Sequence, residues 1–334
     1  MFTDIVAATD LVRISDNVVV SAAKIAGQLG AKLHILHVLE SSDPEKRWKV
    51  RHFATNEEMP TSNAYEKEVQ EQLHALYSGI LPPSVEGSIR VVPGFPWEEI
   101  LRWSRELKPG LIVMGPHSGR AEEKGVVRVA GKIGSTVQGV VRRENCPVMI
   151  INPGVDVKTA EFKQIVVGVD FSVSCESALA FAGQLAQKFS GRLIPFHMIP
   201  APPYPKYSRE NFEADLAATK QRLADFCADF IGDVPHEYAV WGGALPHQEI
   251  ISCAEKYQAD LIVLGSHTRQ KEGKWYSGSV VERTGFRAKS PVVVVTDPEA
   301  LVPWDVKDAP DLENGREKDR KIHVFIKDRT LQGA

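Results

Sequence analysis

Leu264-Gly265-Ser266-His267-Thr268 is followed, after nine residues, by Gly278-Ser279-Val280. This pattern suits a phosphate. A glycine directly after a buried strand lets the backbone approach a ligand closely. A Gly-Ser pair opening a helix leaves unpaired N–H groups at the positive end of the helix dipole. The Ser279 hydroxyl can donate to a phosphate oxygen or cap the helix. Read alone, Gly278-Ser279 is an ordinary helix N-cap. It gains meaning from Gly265 at one strand end and Asp170 at the end of a neighbouring strand.

The elements that must position these residues occur twice. Asp4-Ile5-Val6-Ala7-Ala8-Thr9-Asp10 returns as Gln164-Ile165-Val166-Val167-Gly168-Val169-Asp170. Leu111-Ile112-Val113-Met114-Gly115-Pro116-His117 returns as Leu261-Ile262-Val263-Leu264-Gly265-Ser266-His267. Gly134-Ser135 returns as Gly278-Ser279, and Cys146-Pro147-Val148 as Ser290-Pro291-Val292. The offset falls from 160 at the aspartates to 150 at the histidines and 144 at the Gly-Ser pairs. The copies therefore differ in loop length and not in architecture. A period of about 150 residues is a whole domain, far above the roughly 20–50 residues of a solenoid repeat.

Each copy alternates β-branched runs with longer helical patterns. The first predicts strands at 5–8, 32–39, 87–92, 111–114 and 148–151, with helices at 18–29, 63–77, 97–107 and 132–143. The second predicts strands at 165–169, 192–198, 236–240, 261–264 and 292–296, with helices at 174–189, 210–231, 246–257 and 278–287. Residues 45–61 read as polar and irregular, and Pro200 to Pro205 as a stiff connection. Unbroken apolar strands between helices imply a parallel sheet covered on both faces, α/β and flavodoxin-like, with five strands per domain. The expected boundaries are 1–152, 161–297 and a charged tail at 298–334. Residues 321–327 alternate well enough for a late strand on a sheet edge of this chain or a partner, against the plainer reading of a frayed terminus. Open sheets of this kind bind ligands beyond the carboxyl ends of their strands, where the winding reverses. That rule selects the loops carrying Asp10 and Asp170, Gly115 and Gly265.

Composition removes several alternatives. The chain has 334 residues, 43% hydrophobic and 25% charged, with a net charge of −3. A nucleic-acid footprint needs a basic excess. No apolar run reaches the ~18 residues of a membrane span, and no signal-peptide pattern is evident, so a cytoplasmic protein is expected. Cys146, Cys175, Cys227 and Cys253 form no Cys-x-x-Cys and read as buried thiols of a reducing compartment. There is no Gly-x4-Gly-Lys-Ser/Thr and no Gly-x-Ser-x-Gly. His117 and His267 lie in the phosphate loops without an evident carboxylate or nucleophile partner. His37, His197, Trp241 and Trp275 read as packing residues.

Both copies resemble the universal stress protein family, adenine-nucleotide-binding relatives of the flavodoxin-like folds. The family motif is Gly-x-x-Gly, nine residues, then Gly-Ser or Gly-Thr. The family also carries an Asp after the first strand, His-Val at the end of the second, and Cys-Pro-Val before the last. This chain has Asp10 and Asp170, His37-Val38 and His197-Met198, and Cys146-Pro147-Val148. The resemblance implies a nucleotide site in the second copy. Asp170 would meet the adenosine, and the Met198 backbone would read the adenine edge. Gly265 would lie against ribose and phosphates, with Gly168, Leu264 and Thr268 beside it, and Gly278, Ser279 and Val280 would hold the phosphates. The first-copy counterparts are Asp10, Val38, Gly115, Gly134, Ser135 and Thr136. ATP or another adenine nucleotide is the implied ligand, with Mg²⁺ left open. A pseudo-dimer of the two copies through their last strands is implied as well, with a homodimer of the whole chain left open.

Both copies depart from the motif. Thr268 stands where the family has its second glycine. The first loop, Gly115-Pro116-His117-Ser118-Gly119, spaces its glycines one residue wider. It also places sixteen residues between His117 and Gly134, where ten separate His267 from Gly278. The second site is therefore expected to be the better one. Three functions stay open: a stress-response nucleotide sensor acting through partners, a nucleotide-free scaffold of the same fold, and a slow ATP hydrolase. A flavin electron carrier is remote, since no aromatic pair is placed to sandwich the ring.

Overall fold

In the computed structural model, residues 2–10, 13–41, 49–52, 55, 57–79, 81–117, 133–155, 157, 160–200, 208–266, 269–271, 274–276, 279–296 and 323–325 are described. Two units emerge. The first comprises Met1–Val126, Ser135–Cys146 and Pro303–Ala334, the second Val127–Gly134 and Pro147–Val302.

The first unit is built from β1 (Asp4–Thr9), α1 (Arg13–Leu29), β2 (Lys32–Glu40), β3 (Lys49–Arg51), β4 (Glu58–Pro60), α2 (Asn63–Ser78), β5 (Gly87–Gly94), α3 (Pro96–Leu107), β6 (Leu111–Met114) and α4 (Ser135–Val141). Its sheet runs β6-β1-β2-β5 in parallel. Ile5, Val6 and Ala7 of the inner strand β1 are fully buried, as a strand covered on both faces requires. Helix ends follow local chemistry. Ser62 accepts the Tyr65 N–H to cap α2. Pro96 opens α3 with Glu98 and Glu99 in its first turn, and Lys108 closes it in the left-handed region.

The second unit contains β7 (Val148–Ile150), β8 (Gln164–Gly168), α5 (Val173–Phe189), β9 (Arg192–Pro200), α6 (Arg209–Ile231), β10 (Ala239–Gly243), α7 (Pro246–Lys256), β11 (Leu261–Ser266), β12 (Arg269–Lys271), β13 (Lys274–Tyr276), α8 (Ser279–Arg287) and β14 (Val292–Thr296). Five parallel strands run β10-β9-β8-β11-β14, and β7 adds antiparallel to β14 with Val292 opposite Ile150. The chain winds from β8 toward β9 on one side and later reaches β11 on the other. That reversal puts the switch point at the carboxyl ends of β8 and β11. In the first unit it lies at the ends of β1 and β6.

The α/β architecture agrees with the expectation, with local differences. The polar stretch expected to be irregular holds the short antiparallel pair β3–β4, with Val50 opposite Met59. The strand expected from 236 starts at Ala239, because His236 contributes only an isolated bridge to Leu193. In the first copy, the strand ending the β/α alternation, β7, groups by its contacts with the second unit. A last strand, β15 (His323–Phe325), pairs antiparallel with β5 and belongs to the first unit. The proline-rich connection at 201–207 lies outside the described residues.

Candidate functional site

In the second unit the site begins where β8 ends. The β8–β9 ladder stops at Gly168 opposite Phe196, and the Val169 N–H then donates to the Phe196 carbonyl at 2.9 Å. β9 continues to Pro200. Backbone groups of successive residues point to opposite sides of a strand. Phe196 faces β8, so Met198, two residues on, turns its N–H and C=O to the same side. There β8 no longer runs. In the first unit the equivalent ladder goes one rung further, to Thr9 opposite His37. The His197 Nδ1–H donates to the Val169 carbonyl at 2.7 Å, and His37 Nδ1–H donates to that of Thr9 at 2.9 Å. Each histidine thus ties the end of the second strand to the end of the first, a packing role.

Asp170 is exposed and held from behind. Its Oδ1 accepts the Ser172 N–H at 3.1 Å and the Cys175 thiol at 3.0 Å. Its own N–H donates to Cys175 Sγ at 3.3 Å. Burial, then the neighbouring Asp170 charge, push the Cys175 thiol up to about 11, so it keeps its proton and can donate at neutral pH. Between them Phe171 adopts φ 62°, unusual for a bulky residue. Its ring lies 4.5 Å from that of His197, with the Arg222 guanidinium 4.0 Å from its centroid. Sequence reasoning reads Cys175 only as a buried thiol and passes over Phe171 and Arg222. Their spacing carries no motif, and Arg222 arrives from a distant helix.

The glycines separate into two kinds. A Cβ on Gly265 would lie 2.4 Å from the Ser174 carbonyl oxygen, so the first turn of α5 presses directly on this strand. A Cβ on Gly168 would lie 2.6 Å from Leu264 Cδ2 and 3.2 Å from Ile250 Cδ1. Packing alone demands glycine at Gly265, where the near atoms are backbone, whereas at Gly168 they are side-chain ends that can shift. Gly115 differs, since a Cβ there would meet nothing nearer than the His117 carbonyl at 3.5 Å.

Ser279 opens α8, with Val280 half-buried behind it; His267, Thr268 and Gly278 lie outside the described residues. Gly134 precedes Ser135 and Thr136 at the start of α4. Asp10 and Val38 are half-buried beyond β1 and near the end of β2. Trp241 is a packing residue: its Nε1–H donates to Glu249 at 2.9 Å, and its ring lies 4.5 Å from Phe196. The Trp275 side chain lies outside the described residues. On α7, buried His247 accepts from Arg287 Nη1 at 3.4 Å. Burial, then Arg283 and Arg287, lower its pKa and keep it neutral.

A second polar cluster lies at the amino ends of the first unit's strands. His34 contacts Ser88 Oγ through Nδ1 and Asp4 Oδ1 through Nε2, both at 2.8 Å. The order Ser–His–Asp resembles a nucleophile relay. However, Ser88 is buried and the Trp103 ring packs edge to face on His34 with centroids 5.8 Å apart, so the trio acts as a staple between three strands. Burial works to raise the Asp4 pKa, but hydrogen bonds from His34 and Thr3 and the charges of His34 and Lys32 outweigh it and lower it.

With this geometry in view, comparisons with known proteins are informative. The universal stress protein family model matches residues 1–152 and again 161–296. The chain is 31% identical over 137 residues to a universal stress protein encoded in the QAH/OAS sulfhydrylase 3′ region of Thermus aquaticus, covering 40% of this chain and 98% of that one. A universal stress protein structure from Archaeoglobus fulgidus superposes with a TM-score of 0.59 at 19% identity, over 88% of this chain and 98% of that one. PA1789 from Pseudomonas aeruginosa, described as functionally unknown, gives 0.54 at 15% identity over 90% and 94%. No helix among the described residues is long and apolar enough to cross a membrane. Two matches in tandem, over two units of one α/β plan, show that this chain belongs to the universal stress protein family.

Proposed function

We propose that the second unit binds an adenine nucleotide across the carboxyl ends of β8 and β11, and that the protein acts in the cytoplasm as a nucleotide-linked stress-response regulator working through partners. The observation that carries this reading is the early end of the β8–β9 ladder. It leaves the Met198 backbone facing the strand-end crevice beside Asp170, where a base edge is read by one donor and one acceptor. The α8 N-terminus supplies N–H groups for phosphate. ATP is the first candidate, with Mg²⁺ left open. The pairing of β7 with β14 supports reading the two copies as a pseudo-dimer.

Binding without fast turnover is the expected chemistry. Phosphoryl transfer needs an in-line nucleophile and several aligned charges. Asp170 Oδ1 is already engaged by Ser172 and Cys175. The test is nucleotide released from purified, denatured protein, followed by calorimetry with ATP. Adenine nucleotide recovered in near-stoichiometric amount supports the reading. The absence of both recovered nucleotide and calorimetric binding overturns it in favour of the nucleotide-free scaffold, which the packing-driven Gly265 favours. Steady Mg²⁺-dependent phosphate release, abolished by Asp170→Ala with ATP affinity kept, would make the protein an ATP hydrolase.

A further inference from the structure

Helices α7 and α8 are the counterparts of α3 and α4, but the chemistry where they meet has been exchanged. In the first unit Trp97 follows Pro96 at the start of α3. The Arg143 guanidinium lies 4.5 Å from the Trp97 ring centroid and donates to the Gly139 carbonyl at 3.2 Å, and the charge of Glu98 attracts it. That cation has a ring face, a carbonyl and a carboxylate for company. In the second unit His247 stands in place of Trp97, Gln248 of Glu98, Arg283 of Gly139 and Arg287 of Arg143. The indole and the acid are gone, and a second guanidinium has arrived.

The result is a group of donors without acceptors. His247 is only 3% exposed. Arg287 Nη1–H donates to its Nε2 at 3.4 Å. A guanidinium can only donate, so the neutral ring carries its proton on Nδ1. Among the described residues that Nδ1–H meets no acceptor, and Arg283 has no hydrogen bond or ion pair. A buried donor in that state costs free energy and calls for an explanation such as an absent ion. Arg283 and Arg287 are four residues apart on α8, a like-charge spacing that weakens a helix. Among the described residues they are the only charges that act on His247. His247 also lies in the first turn of α7, where Leu245 supplies no side-chain cap, so the dipole adds positive potential.

We propose that His247, Arg283 and Arg287 form a binding site for a phosphate group. Two fixed positive charges and a third N–H call for two negative charges and at least three acceptor oxygens. A phosphate dianion has both, whereas a carboxylate has one charge on two oxygens. Arg287 is exposed and Arg283 half-buried, so the ion enters from solvent. Arg287 lies eight residues along α8 from Ser279, about 12 Å down the helix from the end proposed for the nucleotide. The site therefore stands whether or not a nucleotide binds.

The His247 ring is the reporter. In the full-length chain with ¹⁵N-labelled histidine, at pH 7.5 and constant ionic strength, inorganic phosphate should shift the Nδ1 and Nε2 resonances of His247 saturably. Acetate should bind at least about 10-fold more weakly, and Arg283→Gln should lower phosphate affinity about 10-fold. Gly278→Val, which crowds the α8 N-terminus, should leave the phosphate response of His247 in place. O-phosphoserine tells the source apart: binding as tight as inorganic phosphate shows a site open to phosphoryl groups on larger molecules, and weaker binding shows a site for the free ion. The absence of a saturable shift in the natural chain overturns the proposal without need of any variant. So does an equal response to acetate, or an unchanged affinity in folded Arg283→Gln. A response lost in Gly278→Val but kept in Arg283→Gln would assign the ion to the nucleotide crevice and overturn it too.

Discussion

The two strand-end crevices are copies of one plan, yet physics has used their shared letters differently. In the first, the ladder extends to Thr9 opposite His37, and Thr9 Oγ1 lies 3.0 Å from the buried Tyr77 hydroxyl. Gly115 has room for a side chain. In the second, the ladder is a rung shorter, Phe171 takes a left-handed conformation, and Gly265 is jammed against the start of α5. A motif glycine is therefore not in itself evidence of a ligand. At Gly265 the fold would require it with or without one. What marks the second crevice is its unpaired strand end.

The contrast can be broken most directly at those glycines. Gly265→Ala should destabilise the second unit by about 2–3 kcal/mol, since backbone atoms of Ser174 and Cys175 must move. Gly115→Ala should shift stability by no more than about 0.5 kcal/mol. Denaturant unfolding of both variants gives the answer, and equal losses would erase the distinction. Next in size, Asp170→Ala should weaken ATP binding about 10-fold, while Asp10→Ala leaves the measured affinity unchanged. A greater loss at Asp10 would move the working site to the first unit. A smaller effect is expected at Cys175. Cys175→Ala removes one donor to Asp170 Oδ1 and should cost about 3-fold in ATP affinity, while Cys175→Ser keeps a donor and restores most of it. An Asp170→Ala background should make the two Cys175 variants indistinguishable. If they still differ there, the thiol does not act through the aspartate.

The smallest effect concerns acid. The folded-state pKa of Asp4 is lowered, so its contribution to stability is present above the ordinary carboxylate value and lost as pH falls through the folded one. The second copy has Gln164 and Ile194 where the first has Asp4 and His34. Acid should therefore loosen the first unit's strand ends first, read as amide exchange in β1 and β2. His34→Gln should flatten that response. Loosening confined to β8 and β9 would reverse the assignment.

Much of this was legible in the chain itself. Ile5-Val6-Ala7 and Leu261-Ile262-Val263 read as central strands because an unbroken apolar run fits only a sheet covered on both sides. The duplicated aspartates fall just beyond β1 and β8, and Ser135 and Ser279 open α4 and α8. What stayed hidden depends on contacts between distant segments. The reason for glycine at 265 is a helix start some ninety residues earlier. The Asp4–His34–Ser88 staple appears only when three strands fall into register. The β3–β4 pair consists of three-residue strands in polar sequence, too short for any periodicity to show.

The strand β15 sets a timetable for biosynthesis. It covers the edge of β5, yet about 230 residues separate the two in the chain. At about 5–20 residues per second, the ribosome leaves that edge uncovered for roughly 10–50 s after β5 emerges. The first unit is thus left with an open flank while the second is still being made, and its final hydrogen bonds form only after β15 has emerged. A nascent chain stalled before His323 would carry that flank exposed, a ready substrate for chaperones.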